Sequence, residues 1–139
     1  QFTMAICYEV LFYDFIRNYL NSVKQSPDFI VNLTNDSWYG RTSEPYQHLF
    51  LSKWRALEFQ MPLIRMTNTG ISSIIYPDGS ESERTPLFTA TNLDVPLKLG
   101  PPGSSRPTLF QQWGFLMMLP LWAGIFVLLL LLTRYQRRF

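Results

Sequence analysis

The chain has 139 residues, one cysteine, one histidine and a formal net charge of +2. That length fits one domain. A single cysteine excludes an internal disulfide and any Cys-x-x-Cys metal site, and one histidine disfavours zinc. Arg134, Arg137 and Arg138 carry the charge excess: without them, residues 1–133 hold 9 basic against 10 acidic side chains. No basic face is left for nucleic acid. Neither redox compartment is excluded.

The first residues open directly into an apolar run, with no methionine, cap or signal peptide before it. The expectation is therefore a C-terminal part of a longer protein, with part of the core and of any active site upstream. Met4-Ala5-Ile6 reads as a buried strand that ends at Cys7, the one cysteine. A strand-to-turn junction suits a nucleophile, because the side chain projects and nearby backbone N–H groups can meet an oxyanion. A lone cysteine can equally be a small buried hydrophobe, and the local pattern leaves both readings open.

From Val10, apolar residues recur at helical spacing through Phe15, Ile16, Tyr19, Leu20 and Val23, with Asp14, Arg17, Asn18 and Asn21 on the other side. This predicts a helix to about Ser22, packed on a sheet. Ser26-Pro27-Asp28 is a turn. Phe29 to Leu33 is β-branched and mostly apolar, as in a buried parallel strand. Thr34 to Gly40 is then a polar loop at that strand's end, where open α/β sheets bind ligands. Cys7 and this loop are expected to share a rim, although an Asn-Asp turn with a packing aromatic has the same pattern.

Glu44 to Gln60 predicts a second helix, with Leu49, Leu51, Trp54, Leu57 and Phe59 giving it a broad apolar side. His48, in its early turns, reads as a packed or exposed residue rather than a catalytic one. Pro62 to Met66 and Ile71 to Tyr76 predict strands, separated by a turn at Thr67-Asn68-Thr69-Gly70. Pro77-Asp78-Gly79 is a tight turn. Phe88 to Leu99 predicts a final irregular strand. The order strand, helix, strand, helix, strand, strand predicts an α/β layer whose sheet is only half present.

A Pro- and Gly-rich linker is expected over residues 100–112. Residues 113–133 then lack charge and are long enough to span a bilayer. Pro120 and Gly124 are tolerated in such a helix, and Trp113 and Tyr135 stand where aromatic residues anchor at interfaces. The basic tail, residues 134–139, is expected to be cytoplasmic, with residues 1–112 on the other side.

Several segments together resemble one family. They are Ile6-Cys7-Tyr8-Glu9, Asn32 to Gly40, Pro45-Tyr46-Gln47-His48-Leu49, Arg55-Ala56-Leu57-Glu58, Arg65 to Ser72 and Pro77-Asp78-Gly79. Their order and spacing are similar to those of the apolipoprotein N-acyltransferases, membrane-bound members of the nitrilase (carbon–nitrogen hydrolase) superfamily. The resemblance implies residues 1–99 as the C-terminal part of a nitrilase-like α-β-β-α sandwich, followed by one transmembrane helix. It implies acyl transfer from a phospholipid to the N-terminal diacylglyceryl-cysteine of an apolipoprotein, through a thioester on Cys7. Tyr8 and Glu9 match positions that shape and polarise the site, with Cys7 and Glu9 as the catalytic pair. Trp38 matches an aromatic at the rim of the lipid entrance, beside Asn35, Asp36 and Tyr39 in the same loop. The implied setting is a bacterial inner membrane with the catalytic part periplasmic, and no metal or cofactor.

The superfamily's Glu–Lys–Cys triad places its Glu and Lys upstream of the cysteine. The expectation is that residues 1–139 alone are inactive and need the upstream part of the same protein. Glu9 alone opposes thiol ionisation unless it is protonated or paired. Two other readings stand beside this one: a membrane-tethered amidohydrolase with water as acceptor, and a non-catalytic truncated remnant.

Overall fold

The computed structural model describes residues 1–97, 99–101 and 106–136. Strand β1 (Phe2–Ile6) runs into a 3-10 turn over Cys7–Leu11 and then helix α1 (Tyr13–Ser22). Strand β2 (Phe29–Thr34), a 3-10 turn at Ser37–Tyr39 and helix α2 (Glu44–Phe59) follow. Strands β3 (Leu63–Thr67) and β4 (Ser73–Ile75) complete a four-stranded sheet in the order β1-β2-β3-β4. The first two pairings are parallel and the last is antiparallel.

This layering follows from the crossovers. Two successive β-α-β units that step in the same direction, each right-handed, put both helices on the same face of the sheet. That face supplies Ala5, Ile30, Leu63 and Ile75, which pack with Ile16 and Leu20 of α1 and with Leu49, Ala56 and Phe59 of α2. The opposite face is apolar and open along β1 and at the ends of β2 and β3: Phe2, Met4, Ile6, Leu33 and Met66 alternate with the inward residues and are all exposed, while Ile74 on the same face of β4 is buried. The sheet with α1 and α2 on one face is the α/β layer that the sequence predicts.

Helix α2 runs close to its predicted limits and ends where Gln60 takes a left-handed conformation (φ 52°). The expectation of a strand over Phe88 to Leu99 is not met. Among the described residues, the only pairing beyond β4 is an isolated bridge between Ile75 and Glu81. The chain then runs unpaired beside β3 and β4: Phe88 adopts φ 56° with the Arg41 guanidinium 4.8 Å from its ring centre, Thr89 to Asn92 are exposed, and Leu93 and Val95 line a cavity with Ile64 and Ile74. Pro86 lies just before the segment and Pro96 within it, and both withhold the N–H groups that a ladder needs. Lys98 and residues 102–105 of the predicted linker lie outside the described residues.

The chain docks again before it becomes hydrophobic. Helix α3 (Leu109–Trp113) is capped by Thr108, whose Oγ1 accepts the Gln111 N–H at 3.0 Å and donates to the Glu58 carbonyl at 2.6 Å. At the other end of α3, Arg17 donates to the carbonyls of Gln111 (2.8 Å) and Gln112 (2.6 Å), and Asn21 also donates to the Gln111 carbonyl. These are orphan carbonyls of a helix end, satisfied here by α1. Gly114 at φ 55° ends α3, a 3-10 stretch covers Gly114–Met118, and helix α4 runs over Leu119–Gln136. The helical stretch Leu109–Tyr135, whose most apolar 18-residue window has mean hydropathy 2.6, is long and apolar enough to cross a membrane, and none of that window is buried. Arg134 lies in the last turn of α4, while Arg137 and Arg138 of the predicted tail lie outside the described residues.

Candidate active site

In parallel strands the carboxyl ends share one edge. Ile6 is in register with Leu33, and Thr34 with Thr67. Cys7, the Asn35–Tyr39 loop and the Asn68 turn therefore meet at one rim. Cys7 sits directly beyond β1 with φ 52°, in the left-handed region that non-glycine residues seldom occupy. Such a conformation persists only where neighbours over-determine it, and it recurs at functional sites.

The neighbours are identifiable. The Glu9 carboxylate accepts the Ile6 N–H at 2.7 Å and closes the turn from one side. From beneath, the Asn32 side-chain amide donates to the carbonyls of Ala5 (3.0 Å) and Cys7 (3.2 Å). Tyr8 lies flat on His48, ring centres 4.7 Å apart, and its hydroxyl donates to Glu44 Oε1 at 2.7 Å. The Tyr39 hydroxyl donates in turn to that of Tyr8. This bond, burial and the Glu44 carboxylate push the Tyr8 phenol above its ordinary value, so it stays protonated as a donor.

Asp36 is fully buried and points inward, under the loop. Its Oδ2 takes a hydrogen bond from Arg65 at 2.8 Å, and its Oδ1 lies 3.2 Å from His48 Nδ1 and 3.3 Å from Thr34 Oγ1. Burial by itself raises the Asp36 carboxyl. The His48 hydrogen bond and the Arg65 charge outweigh burial and hold the carboxyl below the ordinary carboxylate range. Asn35 stays on the rim, where its Oδ1 receives Ser37 Oγ (2.7 Å) and Asn68 Nδ2 (2.7 Å). The Asn68 Oδ1 accepts the Asp36 N–H at 3.1 Å. Trp38 is 81% exposed at the tip of the loop.

The structure thus brings Cys7, Tyr8, Glu9, Asn35, Asp36 and Tyr39 into one cluster and leaves Trp38 projecting from it. It adds Asn32, Glu44, His48, Arg65 and Asn68. Asn32 and Arg65 were detectable in principle, as an amide and a guanidinium at inward positions of otherwise apolar strands. His48 is indeed packed, as its helical setting suggested, but it is packed against the site. Asp36, Glu44 and His48 present ligand atoms within 4.8 Å of one another. A cation there would face the buried Arg65 guanidinium, already bonded to Asp36, and that repulsion argues against metal binding.

Comparison with known proteins decides the family. The carbon-nitrogen hydrolase family model matches residues 1–100. This chain is a member of the carbon-nitrogen hydrolases. Among curated relatives, it is 40% identical over 128 residues to the apolipoprotein N-acyltransferase of Rickettsia typhi, covering 90% of this chain and 23% of the relative. To that of Haemophilus influenzae it is 38% identical over 130 residues, covering 94% of this chain and 23% of the relative. To that of Pasteurella multocida it is 44% identical over 93 residues, 67% of this chain and 17% of the relative. The chain spans about a quarter of the length of the curated relatives it matches best. For this carbon-nitrogen hydrolase the similarity extends past residue 100, since alignments that cover nine-tenths of the chain include part of the apolar helix.

Proposed function

We propose that this chain is the cysteine-bearing, C-terminal segment of a membrane-bound N-acyltransferase, which moves an acyl chain from a phospholipid to the amino terminus of a diacylglyceryl-cysteine apolipoprotein. The observation that carries the reading is Cys7 at φ 52° on the rim of the sheet, in a chain similar to apolipoprotein N-acyltransferases along most of its length.

In this reading the Cys7 thiolate adds to the phospholipid ester carbonyl. The C–S bond forms, the ester C–O bond breaks, and the lysophospholipid leaves as its alcohol after protonation. The acceptor amine then adds to the thioester, the C–N bond forms, the C–S bond breaks, and the sulfur recovers its thiol proton. Glu9 braces the turn through the Ile6 N–H, and Tyr8 forms a wall of the site through His48 and Glu44. Trp38, beside Tyr39, meets the lipid at the entrance.

The Glu and Lys that the resemblance requires are supplied by the upstream part of the same protein. Two features support this: the exposed apolar face of Phe2, Met4 and Ile6 is suited to a second layer, and Lys53 is held by Glu81, which bridges to β4 at the opposite edge of the sheet from β1 and Cys7. The setting is an inner membrane crossed by α4, with the sheet on the extracytoplasmic side. Water as acceptor, giving an amidohydrolase, is the alternative chemistry at the same cysteine.

The test is the intact mass of the native membrane protein, with and without hydroxylamine. A fatty-acyl adduct on Cys7 that hydroxylamine removes is the expected result. A bare thiol after incubation with phospholipid, together with ammonia release from small amides, would replace the acyltransferase with a hydrolase.

A further inference from the structure

The buried polar cluster beneath the rim contains one residue that touches both halves of the site. Arg65 is 1% exposed and projects from β3 into the space between the sheet and α2. One terminal nitrogen donates to Asn32 Oδ1 at 2.7 Å, and the other to Asp36 Oδ2 at 2.8 Å. Asn32 thereby has its oxygen engaged and its NH2 turned toward the Ala5 and Cys7 carbonyls. Asp36 is fixed against His48, on which Tyr8 stacks, and its own N–H anchors the loop to Asn68.

From this geometry we infer that Arg65 is a positioning residue for acyl transfer. Its two-pronged donation to Asn32 and Asp36 sets the strained Cys7 turn and the Asn35–Tyr39 rim as one rigid unit. The inference rests on the reading of Cys7 as the acyl-accepting nucleophile. Its force comes from the asymmetry of the clamp. An asparagine amide has two faces of opposite polarity, and nothing in an apolar strand by itself dictates which way it turns. The guanidinium dictates it: only with the oxygen on Arg65 does the NH2 reach the Cys7 carbonyl. A lysine at position 65 has the charge but a single point of donation, and it cannot span two acceptors in the plane of a guanidinium. Burial lowers the Arg65 guanidinium from its ordinary value, while the charge and hydrogen bond of Asp36 favour its charged form.

Arg65→Lys in the full protein, purified from membranes in detergent, tests this. Two rates are read on the Cys7 peptide by mass spectrometry. Acylation by a p-nitrophenyl ester forms the C–S bond, breaks the C–O bond and releases p-nitrophenolate, so it depends on the sulfur's orientation toward a polarised carbonyl. Alkylation by iodoacetamide displaces iodide and makes no such demand. Displacement of a reacting group by about 1 Å costs on the order of a hundredfold. Arg65→Lys is therefore expected to lower acylation by between about tenfold and a hundredfold and to move alkylation by less than about twofold. The acylating rate constant carries the loss, and half-saturation by the ester stays put.

Asn32→Asp provides the second variant. It keeps an acceptor for Arg65 and removes the donor to Cys7, and the same selective loss is expected. Parallel falls in both rates would mean a merely structural role and would overturn the inference. So would unchanged acylation, failure of both variants to fold, or wild-type acylation no faster than that of free cysteine. If Cys7 takes no acyl group from phospholipid while the aryl ester still acylates it and the variants behave as expected, the substrate assignment fails and the positioning role stands.

Discussion

Gly70 offers the sharpest test of the buried cluster, because its effect can be worked out from one contact. A Cβ at this position would lie 2.0 Å from Asp36 Oδ2, 2.7 Å from Cγ and 2.8 Å from Cβ, where ordinary contact begins at 3.4 Å. In Gly70→Ala the carboxylate must therefore retreat by more than 1 Å, unless the backbone of the turn moves instead. Asp36 is not a flexible side-chain end that can swing into solvent. It is 1% exposed and bonded at 2.8 Å to an equally buried Arg65. Breaking a buried ion pair from one side leaves an uncompensated charge and costs about 3–5 kcal/mol. Arg65 keeps its existing bonds to Asn32 and Ser52, so the lower end, a loss of about 3 kcal/mol, is expected. For a domain of this size that corresponds to a fall in melting temperature of roughly 10 °C or more. The measurement is thermal unfolding in detergent, with Gly124→Ala as control, since nothing lies within 4 Å of a Cβ at that position. If Gly70→Ala melts within about 2 °C of wild type, the Asp36–Arg65 pair is not the constraint on this turn and the reasoning fails.

Two further outcomes follow from other contacts. Asp36 titrates below the ordinary carboxylate range in the folded protein, so its contribution to stability is complete above about pH 4 and is lost as pH falls through the folded value. Glu81 is also held low despite burial, by Arg84 and Lys53, and therefore contributes to the same acid limb. Asp36→Asn should lower the melting temperature at neutral pH and flatten the decline as pH falls below about 4; an acid limb identical to wild type would exclude Asp36 from it. Thr108→Ala removes the cap on the Gln111 N–H and the bond to the Glu58 carbonyl, and should cost about 1 kcal/mol. Faster hydrogen exchange at the Gln111 amide is the readout, and unchanged protection would count against the cap.

What the sequence made legible, and what it concealed, divides along physical lines. Periodicity located α1 and α2 because their buried stripes, Ile16 with Leu20 and Leu49 with Ala56 and Phe59, are spaced by the helix itself. The shared rim of Cys7 and the Asn35 loop followed from two parallel strands ending level. The predicted strand at Phe88 failed because apolar residues such as Phe88, Leu93 and Val95 mimic a strand while Pro86 and Pro96 deny it a ladder. The cluster under the rim was hidden for a different reason. Asn32 and Asp36, His48, and Arg65 come from three separate segments, and each has an ordinary local explanation. Only their convergence at 2.7–3.2 Å makes them a unit. Glu9 was legible as a neighbour of Cys7, whereas its bond to the Ile6 N–H depends on a turn that no pattern in the sequence announces.

The redocking of the chain at α3 has a consequence for how the two halves of the molecule tolerate change. Arg17, Asn21 and Glu58 grip residues 108–112 directly, so the standoff between the cysteine rim and the bilayer is set downstream of the Pro- and Gly-rich stretch. Residues inserted ahead of Thr108 would leave that grip unchanged. A residue inserted after Trp113, by contrast, would rotate the whole apolar helix by about 100° against the clamp.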